Sequence, residues 1–308
     1  MNIKPVTIAT PRWSFNISRA ECAQLGRLNR TSSSRQLRQA LAPIAARVFG
    51  LTPENLMNKP SVSKWVKRII ESRTHPVDAA RALLDLENPL TQVLLEYEGP
   101  CTSFFRDREQ YDLFCRVFDE LFREKDPDKP VRIWVPACCR GQEAYTIAMI
   151  LHAKGYKAEI LGTDIVEPFI RAARSGRYYQ LDERPHPDSN PETRELLSGP
   201  YRKYFIDDPK ELHYQVRPEI MAMVKFELDN IIYSKVEGPF DVISCHFVLM
   251  HLERAPSRRA RKYMLGSLRE GGYIVSSENY FRGIDPKILQ PLTSKTAAYA
   301  AYRSTAGR

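Results

Sequence analysis

The stretch Val131–Glu143, VRIWVPACCRGQE, frames the rest of the chain. Val131, Ile133, Trp134 and Val135 form a short apolar run rich in β-branched and aromatic residues, which predicts a buried parallel strand. The small residues Ala137, Cys138 and Cys139 follow, then Gly141, where a backbone has to turn sharply. From Gln142 the pattern becomes helical, with Tyr145, Ile147, Ala148, Ile150 and Leu151 at the apolar positions. A strand, a tight turn and a helix open a doubly wound α/β sheet, whose ligands sit beyond the carboxyl ends of the strands.

Upstream, residues 1–14 are expected to be irregular, and residues 15–90 read as a small all-helical domain. A helical pattern covers about Ser18 to Leu28. Ser32–Ser34 can cap a second helix with Leu37, Leu41, Ile44, Ala45 and Val48 on one face and Gly50 closing it. Thr52-Pro53-Glu54 is a helix start, Ser61 to Arg73 places Val62, Trp65, Val66, Ile69 and Ile70 inward, and Pro76 opens one more helix. Arg35, Arg38, Arg47, Lys64, Lys67, Arg68 and Arg73 give this domain a basic face, which is either solvated or suited to an acidic partner helix.

The second domain, residues 99–308, reads as α/β. Helix 110–122 leads into the central strand, a second strand spans Ala158 to Thr163 and ends at Asp164, and Pro168 to Ala173 is helical. The segment from about 177 to 223 is too long for a plain connection and predicts an insertion with short strands near His213–Arg217 and Met221–Val224. Phe240 to Cys245 is a further buried strand, and Arg258 to Leu268 a helix. Gly271-Gly272 turns into strand Tyr273–Ser277, and strands near Leu289–Thr293 and Ala297–Tyr302 can pair as a hairpin.

Composition narrows the class. With 43% hydrophobic and 27% charged residues the chain has the balance of a globular protein, and no apolar run approaches a membrane span. The opening MNIKPVTIATPRW lacks the apolar core of a signal peptide, so the expected location is the cytoplasm, with no membrane insertion. None of the six cysteines has metal spacing, and Cys138 and Cys139 read as small packing residues. His246 and His251, five apart, are not the same-face pair of a helical metal site, so no metal is expected. The net charge of +9 favours acidic partners, but no nucleic-acid-binding motif accompanies it and no nucleic acid is expected.

Alternating strands and helices ending in an antiparallel hairpin are the layout of class I S-adenosylmethionine-dependent methyltransferases. One glycine at the first turn disfavours a nicotinamide-binding fingerprint, and no G-K-[ST] signature marks a P-loop. Several stretches, in order from about residue 100 onward, resemble the CheR family of chemotaxis receptor methyltransferases. Thr102-Ser103-Phe104-Phe105-Arg106-Asp107 is similar to the family's T-x-F-F-R-[DE], and Arg132-Ile133-Trp134 through Gly141-Gln142-Glu143-Ala144-Tyr145 to its R-x-W…G-E-E-x-Y segment. Gly162-Thr163-Asp164-Ile165, Tyr201 to Phe205, Phe226 to Ile231 and Phe240 to Cys245 are similar to its [AG]-[ST]-D-I, Y-F, F-x-x-x-N-L and F-D-x-I-x-C elements.

The resemblance implies a Rossmann-like sheet with a small inserted β-subdomain behind a helical N-terminal domain, S-adenosylmethionine as cofactor, and methyl transfer to receptor glutamates. It implies that Thr102 and Arg106 approach the cofactor and the reacting centre, that Glu143 meets the cofactor's amino-acid part, and that Gly141, Ile165 and Phe247 belong to the cofactor site as well. Asp164 would meet the ribose, and Asn230 and Ile231 would lie beside the adenine end. Departures fall close to the chemistry. Pro100 stands where the family commonly has asparagine, Gln142 replaces the first of two glutamates, Phe247 replaces an asparagine near the cofactor, and His251 replaces a tyrosine associated with catalysis.

Three functions follow from these residues. The first is a protein-glutamate methyltransferase acting on an acidic receptor helix: a carboxylate acceptor needs no general base, and an arginine fork such as Arg106 can position it. The second is a small-molecule O- or N-methyltransferase with His251 as the base that a neutral acceptor requires. The third is a non-catalytic S-adenosylmethionine-sensing module.

Overall fold

The structure, a computed structural model, describes residues 6–9, 14–28, 32–52, 56, 60–83, 85–95, 102–124, 126, 129–179, 199–208, 213–234, 236–277, 280–281, 284–292 and 299–305. The first elements correct the irregular start expected of residues 1–14. Strands β1 (Val6–Ala9) and β2 (Ser14–Ile17) pair antiparallel, Val6 opposite Ile17. Each is four residues long, too short for a periodicity, but β-branched Val6, Thr7 and Ile8 suit a ladder partnered by Phe15 and Ile17.

Helices α1 (Arg19–Gly26) and α2 (Ser34–Phe49) both begin with capping boxes, on Ser18 with Glu21 and on Ser33 with Gln36. Gly50 closes α2 at φ 67°, a left-handed position natural to glycine. Helices α3 (Pro60–Glu71), α4 (Pro76–Ala82) and α5 (Pro89–Leu95) complete this layer. Leu41, Ile44, Val48, Val62, Trp65 and Ile69 form its core, each at most 1% exposed. Pro53 and Glu54 of the expected helix start lie outside the described residues.

Helix α6 (Arg108–Glu124) leads into β3 (Val131–Pro136), α7 (Gln142–Ala153), β4 (Ala158–Asp164) and α8 (Glu167–Ser175). After an insertion come β8 (Val224–Leu228), β9 (Phe240–Cys245), a 3-10 turn (Leu249–His251), α10 (Arg254–Ser267), β10 (Leu268–Ser277), β11 (Leu289–Pro291) and β12 (Tyr299–Ser304). Among the described residues the main sheet has seven strands in the order β11-β12-β10-β9-β3-β4-β8. Strands β10, β9, β3, β4 and β8 run parallel, and β12 and β11 add antiparallel pairs at one edge. The chain winds from β3 outward through β4 to β8, then returns to β9 on the other side of β3. That reversal opens a crevice at the carboxyl ends of β3 and β9.

The insertion carries β5 (Arg177–Tyr179), β6 (Phe205–Asp208) and β7 (His213–Val216), a three-stranded antiparallel sheet ordered β5-β7-β6. Residues 180–198 and 209–212 of it lie outside the described residues, as do Thr293, Ala297 and Pro100. Two local expectations are corrected. Residues 218–221 form a helical turn, α9 (Pro218–Met221), opened by Pro218 at a first-turn position, and the strand begins only at Val224. Gly271 and Gly272 are not a turn before β10 but an irregularity within it, with Gly271 at φ 69° and the register shifting between Leu268 and Tyr273.

The class is therefore the expected one: a mostly parallel Rossmann-like sheet with a small inserted β-sheet, behind a helical layer. Asn230 Nδ2 joins the layers by donating to the Val48 carbonyl (3.1 Å), and so does the Glu253 N–H by donating to the Gly50 carbonyl (2.8 Å). Gln92 clamps the other side, donating to the Ile165 carbonyl (3.2 Å) and accepting from the Glu167 N–H (2.9 Å).

Candidate functional site

The turn 102–107 is built on two buried rings. Phe104 packs edge-on against Tyr178 and Phe205 of the inserted sheet, with centroids 4.9 and 5.1 Å apart. Phe105 sits at φ 47° against Tyr201 (4.6 Å), and its N–H donates to Thr146 Oγ1 on α7 (3.1 Å). With both phenylalanines committed to the core, half-buried Thr102 and Arg106 emerge from a fixed turn at the crevice.

The second wall is the loop between β3 and α7. Ala137 and Cys139 are left-handed (φ 55° and 51°), and so is Gly141 (φ 88°). A Cβ at Gly141 would lie 2.8 Å from the Phe226 ring and 2.9 Å from Ala173 Cβ, and one at Gly162 would lie 2.6 Å from the same ring. Both glycines are therefore small because Phe226 packs across them. Tyr178 OH ties the inserted sheet to this loop by donating to the Arg140 carbonyl (2.6 Å). Cys139 is disulfide-bonded, which corrects its reading as a packing residue, whereas Cys138 is free and buried as expected. Spacing alone does not say which thiols meet in space.

Glu143, in the first turn of α7, faces the end of β9. Ser244 Oγ donates to its Oε1 at 2.6 Å, Gln110 of α6 hydrogen-bonds it as well, and His246 Nε2 stands 4.0 Å away. Burial pushes the Glu143 carboxyl up to about 7, opposed by the Ser244 hydrogen bond, the Arg106 charge and Gln110. Burial likewise lowers His246 to about 3, helped by the Arg106 charge, so its imidazole is neutral at physiological pH. The Arg106 guanidinium carbon lies 4.2 Å above the Phe247 ring. Arg106, Glu143 and Phe247 thus come together, joined by His246, weighed in the sequence only as half of a metal pair, and by Gln110 and Ser244, which no sequence motif marks. Ser244 is one of two polar residues in β9, with Asp241, and its sequence position alone does not mark it out.

Asp164 ends β4 beside this cluster. Its Oδ2 accepts the Cys139 N–H (2.8 Å) and its Oδ1 the Val166 N–H (2.9 Å). Burial raises its carboxyl to about 6, against those backbone donors and that of Ile165. Ile165 follows it, half-buried. Asn230 and Ile231 lie past the end of β8, where Asn230 Oδ1 accepts the Ile232 N–H (3.0 Å) while its amide holds α2. His251 is exposed on the 3-10 turn beyond β9.

The chemistry of this donor set fits S-adenosylmethionine. Two carboxylates, Asp164 buried at the end of β4 and Glu143 partly buried in the first turn of α7, suit a ligand that carries an ammonium and a ribose diol. Each Asp164 oxygen has one backbone donor in these bonds, and a carboxylate oxygen accepts two.

Residues 101–281 match the family described as "CheR methyltransferase, SAM binding domain". The chain is 27% identical over 194 residues to a chemotaxis protein methyltransferase of Listeria innocua, covering 62% of this chain and 66% of that one. It is 26% identical over 182 residues to an uncharacterized 104.1 kDa protein of Rhodobacter capsulatus, covering 57% of this chain and 18% of that one. The chain thus spans less than two thirds of either relative. Among solved structures, the N-methyltransferase NodS of Bradyrhizobium japonicum with S-adenosyl-L-homocysteine is 14% identical, with a TM-score of 0.39, covering 73% of this chain and 97% of that one. The family match takes in the aromatic-anchored turn, the glycine loop, Glu143, Asp164 and all of β9, more than half of the chain, and on that basis the chain belongs to the CheR methyltransferase family through its S-adenosylmethionine-binding domain.

Proposed function

We propose that this protein transfers a methyl group from S-adenosylmethionine to a carboxylate, and that the acceptor is a glutamate on an acidic receptor helix. The observation that carries the reading is the placement of Arg106, on a turn anchored by Phe104 and Phe105, beside the partly buried Glu143 and against Phe247. When bound, the cofactor supplies a methyl group activated on a sulfonium. Glu143 would hold its ammonium, Asp164 its ribose hydroxyls, and Ile165 and Ile231 would flank its adenine, with Asn230 fixing the loop that carries Ile231. The side-chain-free Gly141 lets the loop approach, and Thr102 lines the reacting centre beside Arg106.

Arg106 has the central task. Its planar fork can align a carboxylate and replace the water that the acceptor loses on entering the crevice. The acceptor is already anionic, so no residue has to remove a proton. The grip has to be moderate, because an ion pair stronger in the ground state than in the transition state slows transfer.

A basic groove supports the protein acceptor. A cleft of about 1210 Å3 between α3 and the start of α8 is lined by Lys64, Lys67, Arg68, Arg140, Arg171 and Arg177, against three carboxylates, Glu71, Glu87 and Glu167. Its charge complements an acidic helix. Among the described residues no helix is long and apolar enough to cross a membrane, and a docked cytoplasmic helix requires none.

A second reading rests on His251. Its exposure at the same strand end as Phe247 suits a base acting on a small hydroxyl or amine acceptor. Label transfer from methyl-labelled S-adenosylmethionine into fractionated host extract, followed by mild base, decides between the two. Volatile labelled methanol from membrane proteins is the expected result. Base-stable label in the small-molecule fraction would replace the first reading with the second, and cofactor binding without any transfer would favour a sensing role.

A further inference from the structure

Phe247 has a backbone conformation that it would not adopt for packing alone. It lies at φ 52°, in the left-handed region, where a residue with a Cβ is strained and an aromatic one uncommon. The side chain is only half-buried, so the strain is not offset by complete removal of the ring from water. Something nevertheless fixes it. The Phe247 N–H donates to Ser277 Oγ at 2.8 Å, and Ser277, 1% exposed, is the last residue of β10. The parallel pairing of β9 with β10 runs to Cys245 opposite Ser276. The serine hydroxyl therefore continues the ladder for one more step, just where the chain turns away.

That turn has a directional result. The Phe247 ring faces Arg106, which belongs to a turn far away in sequence, and the guanidinium carbon lies 4.2 Å from the ring centroid. This is well inside the distance of about 6 Å at which a cation over an aromatic face is attracted. Contact with the ring narrows the orientations open to the guanidinium and so the directions in which its N–H donors point. Arg106 is thus held from two sides, through its own backbone by the buried Phe104 and Phe105, and at its head group by Phe247.

We propose that Phe247 is a positioning residue: Ser277 holds it in the left-handed conformation, and its ring clamps the Arg106 guanidinium by a cation–π contact, limiting the directions in which Arg106 meets its ligand. The proposal rests on the reading of Arg106 as the residue that meets cofactor and acceptor. It also accounts for an aromatic residue at a position where hydrogen bonding would otherwise be the natural way to steer a neighbour.

The test is a double-mutant cycle in the full chain, with Phe247→Leu and Arg106→Gln, read in two ways. Calorimetric titration with S-adenosyl-L-homocysteine measures ligand affinity, and urea denaturation of the unliganded protein measures coupling without any ligand. Phe247→Leu is expected to weaken S-adenosyl-L-homocysteine binding about tenfold, and Phe247→Tyr to restore it to within about twofold, because tyrosine keeps the ring face. With Arg106→Gln already present, Phe247→Leu is expected to change affinity by less than about twofold. Ser277→Ala, which leaves the ring in place but removes its anchor, is expected to cost about threefold. In urea, the two side chains are expected to be coupled by about fivefold in the folding equilibrium constant.

Equal losses from Phe247→Leu in both backgrounds would make the ring ordinary packing and overturn the clamp. So would a Phe247→Tyr variant as weak as Phe247→Leu. Absence of S-adenosyl-L-homocysteine binding by the unaltered protein would instead overturn the methyltransferase reading, and the urea cycle would still decide the clamp, since an uncoupled pair refutes it.

Discussion

Arg106, Glu143 and His251 make separable predictions, because their chemical tasks differ. Arg106→Ala removes the fork that aligns the acceptor, so turnover is expected to fall at least about a hundredfold while S-adenosyl-L-homocysteine affinity falls about tenfold or less. Unchanged turnover would remove Arg106 from the reaction. Glu143 has an ordinary value of 4.5 and is raised to about 7 in the fold, chiefly by burial. A raised carboxyl gives the fold its full relative stability below the unfolded value and loses it as pH climbs through the folded one. Denaturation midpoints of Glu143→Gln against the native chain should therefore show the variant gaining about 2 kcal/mol between pH 5.5 and pH 8. Binding has the opposite sign. A cationic ligand requires the carboxylate, so affinity should be flat well above pH 7 and fall about tenfold per unit just below it, with Glu143→Gln flat from pH 8 down to about pH 6, where Asp164 takes up its own proton. His246 faces the same carboxyl but does not change charge in that range, since it is already neutral. For His251→Ala, a carboxylate acceptor predicts rates within about threefold of the native chain across the pH range. A steep loss on the alkaline limb would identify a base and favour the small-molecule reading.

At the scale of elements, the joint between α2 and the sheet is the most exposed to a single change. Gly50 closes α2 at φ 67°, and a Cβ there would lie 2.4 Å from Ile232 Cδ1 and 2.8 Å from Pro256 Cβ. Gly50→Ala combines a strained φ with two contacts that have to give, so denaturant unfolding should show a loss of about 1–3 kcal/mol. The glycine itself was legible as a helix stop, but its role in packing was not, because Ile232 and Pro256 lie some two hundred positions away in sequence. The same division runs through the chain. Caps and apolar periodicity located α2, α3, β3, β4 and β9, since each of those signals is local. The hairpin of β1 and β2 stayed hidden because two four-residue strands stabilise each other only once paired. Pro218 did signal the helical turn α9, but one turn of helix has almost no periodicity to confirm it. In the candidate site, Arg106, Glu143 and Asp164 could be proposed from motifs, because each motif is local in sequence. Ser244 and Gln110 could not, because their importance lies in a contact between elements 101 or more residues apart in one case and brought together by the α6–sheet packing in the other.

For the molecule as a whole, charge distribution is the property that separates the proposed acceptors. The chain carries a formal net charge of +9, and part of that excess lines one cleft rather than being spread evenly. Along α3 the pattern is sharp: Val62, Trp65, Val66 and Ile69 are buried, while Lys64, Lys67 and Arg68 are exposed on the face that lines the cleft. The apolar stripe fixes the helix in the layer and leaves the cations facing outward, so their charge can be changed without disturbing the core. An acidic helix approaching this face would gain affinity and association rate from the field, and both gains would be screened by salt over a Debye length of about 8 Å at physiological ionic strength. A small uncharged acceptor would be indifferent to it. Lys64→Glu combined with Arg68→Glu should therefore raise KM for an acidic protein acceptor at least about tenfold and flatten its salt dependence, with kcat nearly unchanged and S-adenosyl-L-homocysteine binding within about twofold of the native chain. Lys67 is best left in place, because its ammonium lies 3.6 Å from Glu71 one turn on and its loss would free that carboxylate to repel the same partner. If the double reversal left KM for every protein acceptor unchanged, the cleft would have no part in recognition, and a metabolite acceptor reached through the His251 side of the crevice would become the better account.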